Sequence, residues 1–310
     1  MRRFVVAVAL VWGCSEVPTG PAPDPAMLRA DLAAVRSVFD APVVRSAGFF
    51  FNVSALSAPR AGQPLVPDSL LGRTFAWSCA AQAYALSAET GAPVNGVRLR
   101  LYQLAASGAI QCPITPIGQL DLFDVSIAAT RAVRVTATGT SGDSLVDYTL
   151  TRGLTDSVST ASGFVSDGHE RLVFQWTEAF GVTHSSAVTT AVDDSARDFH
   201  ATLQESAQMG VDTYADDVDL TLRKTDLTLE LKGSSAWSNT YGSWHEVVTV
   251  DSVLFARVEG DMTQGGPTVM PPRLTNEQRQ LVLDVVNTPG VLRSALGRVF
   301  DIARRLVGAP

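Results

Sequence analysis

The stretch DVDLTLRKTDLTLELKG, residues 217–233, decides the fold class, because apolar and polar residues alternate along it with a period of two. Such alternation is typical of β-strands that bury one face. The phase slips between Leu222 and Leu227, which predicts a bulge or a tight turn at Lys224 and Thr225. The alternating apolar positions are Val218, Leu220, Leu222, Leu227, Leu229 and Leu231.

The same period extends in both directions, from about Val43 to Glu259. VRLRLYQLAA (97–106) and ERLVFQWTEAF (170–180) repeat it, with turn residues and no helical crossover between successive runs. Short turns favour an antiparallel meander over a parallel α/β sheet. A sheet of about ten such strands has to curl to cover its apolar face. We therefore expect a mainly β protein with a large curved meander sheet: a half-barrel, a closed barrel or a sandwich.

Helical patterns flank the strand region. Asp24 and Pro25 are start signals for an N-terminal helix over 25–40. Thr275 and Gln278 form a capping box at the other end, and Thr288 with Pro289 predicts that the helix restarts there.

The C-terminal pattern combines an apolar stripe with arginines lying off it, at Arg293, Arg298 and Arg304. One interpretation is an amphipathic helix docked on the apolar face of the sheet. The other is a basic helix that lies on an anionic membrane or a partner.

The N-terminus indicates export. Arg2 and Arg3 precede an apolar run from Phe4 to Trp12, too short to span a bilayer but typical of a signal peptide. The run ends in Val11-Trp12-Gly13-Cys14, which resembles the lipobox of bacterial lipoproteins. The resemblance implies lipidation of Cys14, and Ser15 after it implies the outer membrane or cell surface. The alternative is an ordinary signal peptide cut elsewhere.

The residues after Cys14 are rich in proline, which favours an extended tether between the lipid and a folded domain. The expected organisation is a signal peptide over 1–13, a lipidated cysteine and tether over 14–24, a β domain with the N-terminal helix over 25–259, a Gly/Pro linker over 260–273 and C-terminal helices over 274–310.

The composition limits the function. Hydrophobic residues make up 46% of the chain, enough for a substantial core. The net charge of −7 argues against binding to nucleic acid, because phosphate repels an acidic protein. With Cys14 lipidated, Cys79 and Cys112 remain as a pair, for which an oxidising envelope favours a disulfide over two buried thiols.

The sequence carries no recognised catalytic pattern. His169-Glu170 and His245-Glu246 begin like the zinc motif HExxH, but Val173 and Thr249 stand where its second histidine belongs. Neither a nucleophile elbow nor a phosphate-binding loop is present. The acidic clusters at 193–198 and 212–219 suit turns better than a calcium site. We expect no enzyme activity, no cofactor and no metal.

The candidate contact surface is aromatic. Trp237, Tyr241 and Trp244 lie in the Gly/Ser-rich stretch GSSAWSNTYGSW (233–244), which we interpret as a loop. Exposed aromatics on a loop grip ligands or partner proteins. The alternative is a loop that folds these rings back onto the rim of the sheet.

The layout of helix, long meander and terminal helices is similar to that of half-barrel envelope lipoproteins such as the LolA/LolB-type lipid carriers. That similarity carries over no individual residue. Layout alone does not fix function. The lipid anchor and the surplus of apolar sheet surface lead us to expect a non-enzymatic envelope protein that binds an apolar small molecule or lipid between sheet and helices. The alternative is a structural lipoprotein with a packed core that presents loops, such as 233–244, to an envelope partner.

Overall fold

A computed structural model provides the structure of the protein. It describes residues 23–48, 63–127, 129–153, 157–180, 184–194, 199–210, 213–238, 242–261, 266–271 and 273–308. The predicted signal peptide and Cys14 lie outside these residues.

The N-terminal segment is helical but forms two helices. Helix α1 spans Pro25–Ser37, and the carboxylate of Asp24 caps it by accepting hydrogen bonds from two backbone N–H groups of the first turn. A 3₁₀ turn follows, and α2 spans Pro42–Ala47. The predicted helix over 25–40 is confirmed, with its last three residues in the 3₁₀ form. Ala41 precedes a proline, which favours the extended backbone that separates this helix from α2.

Within the part of the chain that the structure describes, one open sheet of 15 strands forms most of the fold. Its antiparallel meander confirms the predicted fold class. The order runs from β15 back to β3 without a crossover and then to β1 and β2. Neighbours are antiparallel except β1 and β3, which are parallel. The strands are β1 (Arg73–Ser78), β2 (Ala83–Ser87), β3 (Gly96–Tyr102), β4 (Pro116–Asp124), β5 (Thr130–Gly139), β6 (Ser144–Gly153), β7 (Val158–Ser166), β8 (Arg171–Ala179), β9 (His184–Asp194), β10 (Phe199–Met209), β11 (Thr213–Lys224), β12 (Leu227–Ser238), β13 (Gly242–Val250), β14 (Val253–Asp261) and β15 (Gly266–Met270).

The stretch 217–233 forms the hairpin of β11 and β12. Lys224 pairs with Leu227, so Thr225 and Asp226 make a tight turn. This turn accounts for the slip in the apolar phase, because it brings Leu222 and Leu229 opposite each other on the same buried face.

The predicted linker 260–273 contains a strand. β14 continues to Asp261, and β15 pairs with it as an edge strand. An edge strand needs only one partner and therefore tolerates a proline such as Pro267, which is why a Gly/Pro-rich stretch can join the sheet here.

One continuous helix, α3 (Asn276–Val307), ends the described chain. Its capping box at Thr275 and Gln278 is confirmed, but the predicted restart at Pro289 is wrong. Proline removes a helix N–H group, and side chains add hydrogen bonds beside it. The Thr288 hydroxyl and the Arg36 guanidinium both donate to the carbonyl oxygen of Asp284, at 2.6 and 2.7 Å. None of the described helices is long and apolar enough to cross a membrane.

The core lies between the sheet and the helices. Phe300 of α3 sits among three aromatic side chains of the sheet, with ring centroids 5.0 Å from Phe174, 5.2 Å from Tyr148 and 5.5 Å from Trp176. The Tyr148 hydroxyl donates to the carbonyl oxygen of Val299 at 2.8 Å. The apolar stripe of α3 is thus docked on the sheet, as the first interpretation of the sequence expects.

Candidate functional site

The predicted disulfide is present. Cys79 follows β1, Cys112 precedes β4, and their sulfur atoms are bonded. Beside it lies a small apolar cluster of Trp77, Tyr102 and Ile110, separate from the main core. The bond ties the loop between β3 and β4 to the edge of the sheet.

The predicted aromatic loop is largely strand. Residues 233–238 belong to β12, and 242–244 belong to β13. Trp244 is half-buried and pairs with Ser235, whose side chain is buried. Tyr241 and the side chain of Trp237 lie outside the described part. The interpretation of 233–244 as a loop is wrong, because residues 233–238 pair with β11 on one side and residues 233–237 with β13 on the other.

Acidic residues 216, 217 and 219 lie along β11, where alternation turns Asp216 inward and the other two outward. Among the residues that the structure describes, no group of three or more His, Cys, Asp or Glu side chains is arranged to hold a metal ion.

A groove of about 280 Å³ opens between α2, α3 and the loop from β3 to β4. This volume lies just below the roughly 300 Å³ at which the usual range of ligand sites begins. The side chains that line this groove are mainly apolar. The groove is not where the sequence predicts the ligand, because the space between α3 and the sheet is filled by side chains of the core. The apolar side chains that line it are Phe39, Val44, Leu104, Ala295 and Val299.

Two arginines stand at this groove, Arg45 of α2 and Arg298 of α3. A Cβ atom built on Gly48 would lie 3.6 Å from the carbonyl oxygen of Arg45 and 3.5 Å from that of Arg298, so the two backbones meet here. Both side chains are exposed, and within the described residues neither guanidinium has an acidic partner. Asp40 also lines the groove and offsets one of the two positive charges.

A second polar feature lies inside the sheet. Glu178 of β8, Glu205 of β10 and Glu246 of β13 are buried among inward-facing residues. Two of them form ion pairs with α3. Arg304 Nη2 lies 2.7 Å from Glu178 Oε2, and Arg293 Nη1 lies 2.8 Å from Glu205 Oε1.

The arginines of these pairs also stack on aromatic rings of the sheet. The Arg304 guanidinium lies 5.4 Å from the ring centroid of Trp176, and that of Arg293 lies 5.1 Å from Tyr214. Eleven residues are about three helical turns, so both arginines point the same way from α3. The two pairs fasten the helix to the inner face of the sheet. Burial nevertheless raises the pKa of Glu205 to about 7, because the loss of water outweighs the favourable charge of Arg293.

Among the described residues, Glu246 has no arginine partner like those of the other two buried glutamates. Its Oε2 atom, like both carboxylate oxygens of Glu205, has no hydrogen-bond partner there. Burial, with the nearby charge of Asp216, raises the pKa of Glu246 to about 7. Gly233 lies opposite it on β12, and a Cβ atom there would be 2.5 Å from the Cα of Glu246. Only glycine fits at that point of the hairpin without a shift of the backbone.

The side chain of Asp216, unlike that of Glu246, is fixed by several hydrogen bonds. It accepts hydrogen bonds from the backbone N–H and the hydroxyl of Ser235, at 3.1 and 2.5 Å, and one from the Tyr214 hydroxyl at 3.2 Å. These hydrogen bonds fix the position of the Asp216 side chain, which contributes to the raised pKa of Glu205 and of Glu246.

Comparisons with known proteins identify no family whose model matches the chain, and they find neither a curated protein nor a solved structure similar to it.

Sequence reasoning did not single out either polar feature. The glutamates left a signal, because Glu178 continues the apolar phase of Leu172, Phe174 and Trp176 in ERLVFQWTEAF. An acid on the buried phase predicts an internal ionic partner. The groove has no such signal in the sequence, because Arg45 and Arg298 are more than 250 residues apart in the chain and only the fold brings them together.

Proposed function

We propose that this chain is a lipid-anchored protein of the bacterial cell envelope that binds an apolar small molecule or lipid without chemically changing it. The groove between α2, α3 and the β3–β4 loop is the observation that carries the ligand part of the proposal. The lipobox-like residues up to Cys14 support the anchor, and Ser15 supports an outer-membrane location.

Native mass spectrometry of the chain from Ser15 onward tests the ligand part. This chain contains every element of the described fold, and it is to be secreted to the periplasm and purified without detergent. We expect an added mass of lipid size that disappears after organic extraction. The matched control is Leu104→Trp, whose larger ring narrows the groove from its loop side. A clean apo mass for the wild type would exclude tight carriage of a host lipid.

The anchor requires a separate test. Metabolic labelling with a radioactive fatty acid should mark the full chain and should fail to mark Cys14→Ser. Labelling of the variant as strongly as the wild type would place the acyl group elsewhere, and the absence of label in both would point to an ordinary signal peptide.

A packed interior favours the second candidate function, a structural lipoprotein that contacts another envelope component. Leu120 and Leu122 of β4 and Leu281 and Val285 of α3 are fully buried where sheet and helices meet. Cross-linking in intact cells, followed by pull-down of the wild type and of Trp244→Ala, tests this function. A defined partner that is recovered only with the wild type would favour it over the groove.

A further inference from the structure

We propose that the groove binds a single-chain carboxylate amphiphile, with the acyl chain against its apolar wall and the carboxylate between Arg45 and Arg298. The inference rests on the proposed function and specifies its ligand. A neutral apolar ligand would need no charge at this position, yet two exposed arginines from different helices stand beside one small groove.

Both arginines line the same groove, one from α2 and one from α3. The carbonyl oxygens of Arg45 and Arg298 lie within 3.6 Å of one point, the Cβ position built on Gly48, so the backbones of the two helices are close there. Arginine is suited to this role, because its planar fork matches the two oxygens of a carboxylate.

The charge of the groove also favours an anion. Other arginines of the helices are already paired, including Arg29 with Asp284 and Arg304 with Glu178. Within the described structure Arg45 and Arg298 have no such acidic partner, so the carboxylate of a ligand would form the ion pair with both. Asp40 is the opposing charge, and the net charge of the lining side chains is positive.

The size of the groove limits the ligand to one chain. A volume of about 280 Å³ is too small for a lipid with several acyl chains, which needs a larger site. Each methylene that enters the groove adds to the affinity, so a medium-length chain supplies most of it and the head group supplies the selectivity.

Isothermal titration calorimetry with three ten-carbon probes at pH 7.5 tests the inference on the chain from Ser15 onward. The probes are decanoate, decanol and decylamine, each below its aggregation concentration. We expect decanoate to bind at least tenfold more tightly than the other two. The double substitution Arg45→Gln and Arg298→Gln should remove this preference and leave decanol binding unchanged.

Two single variants serve as controls. Arg223→Gln removes an exposed arginine from the outward face of β11 and should leave decanoate binding unchanged. Asp40→Asn removes the opposing charge and should strengthen decanoate binding severalfold. Thermal melting of every variant shows whether its fold is intact.

The outcomes separate the inference from the proposed function. Equal binding of decanoate and decanol would refute the carboxylate site while the apolar groove stands. Preference for decanoate that survives in the double arginine variant would place the site elsewhere. Failure of all three probes to bind, together with a clean apo mass, would overturn both proposals.

Discussion

Glu246→Gln tests whether an ionised carboxylate is costly inside this sheet. Glu246 is 6% exposed, and among the residues that the structure describes its Oε2 atom has no hydrogen-bond partner. Its pKa is about 7, against an ordinary 4.5. Between these two pH values the folded chain holds a proton that the unfolded chain has released, so the free energy of unfolding falls as the pH rises.

The expected magnitude follows from the gap between the two pKa values. At about 1.4 kcal/mol per pH unit, the gap makes ionised Glu246 cost about 3 kcal/mol above pH 7. Glutamine has the shape of the protonated acid and does not titrate. The substitution should therefore leave stability nearly unchanged at pH 5 and raise it by about 2–3 kcal/mol at pH 8, relative to the wild type.

Urea unfolding between pH 5 and pH 8.5, followed by circular dichroism, measures the difference. Any fixed effect of the amide cancels, because only the change of the variant-minus-wild-type difference with pH is used. The exposed Glu277→Gln, in the first turn of α3, is the matched control, since water solvates that side chain in both states. A difference that stays constant across this range would show that Glu246 is solvated or hydrogen-bonded, and the reasoning would fail.

Three further predictions concern the contacts that hold the fold together. Arg304→Met should lower the free energy of unfolding by about 3–5 kcal/mol, because it removes the arginine that lies 2.7 Å from the buried carboxylate of Glu178. Adding Glu178→Gln should restore much of the loss in the same urea titration. Reduction of the Cys79–Cys112 bond, which spans 33 residues, should lower stability by about 3–4 kcal/mol, measured as unfolding with and without reductant. An unchanged unfolding midpoint after reduction would show that the disulfide adds no stabilising constraint. Tyr148→Phe removes one buried hydrogen bond to α3 and should lower stability by about 1 kcal/mol; a loss below the error of the titration would contradict that geometry.

Local sequence patterns were sufficient to predict most of the strands and helices and the fold class. Period-two alternation predicted the meander, and the slip between Leu222 and Leu227 located a turn, because side-chain direction in a strand follows directly from residue parity. The cap at Asp24 and the capping box at Thr275 were equally local. Each of these features depends on residues only a few positions apart.

Predictions failed where a local signal was overridden by a neighbour in space. Pro289 ends a helix in isolation, yet Arg36 of α1 donates to the turn before it and α3 continues. The Gly/Pro-rich stretch at 260–273 joins the sheet as β15 because the edge of β14 is free to pair with it. The glycines and serines of 233–244 form strands because β11 and β13 flank them.

The sequence by itself determined a curled antiparallel meander with helices at both ends, since alternation and capping are properties of short segments. The tertiary structure alone decided which buried glutamates meet an arginine, why Glu246 lacks a hydrogen bond at one oxygen, and that Arg45 and Arg298 share a groove. Those relations join residues tens to hundreds of positions apart, and only the register of the strands and the docking of α3 bring them within contact distance.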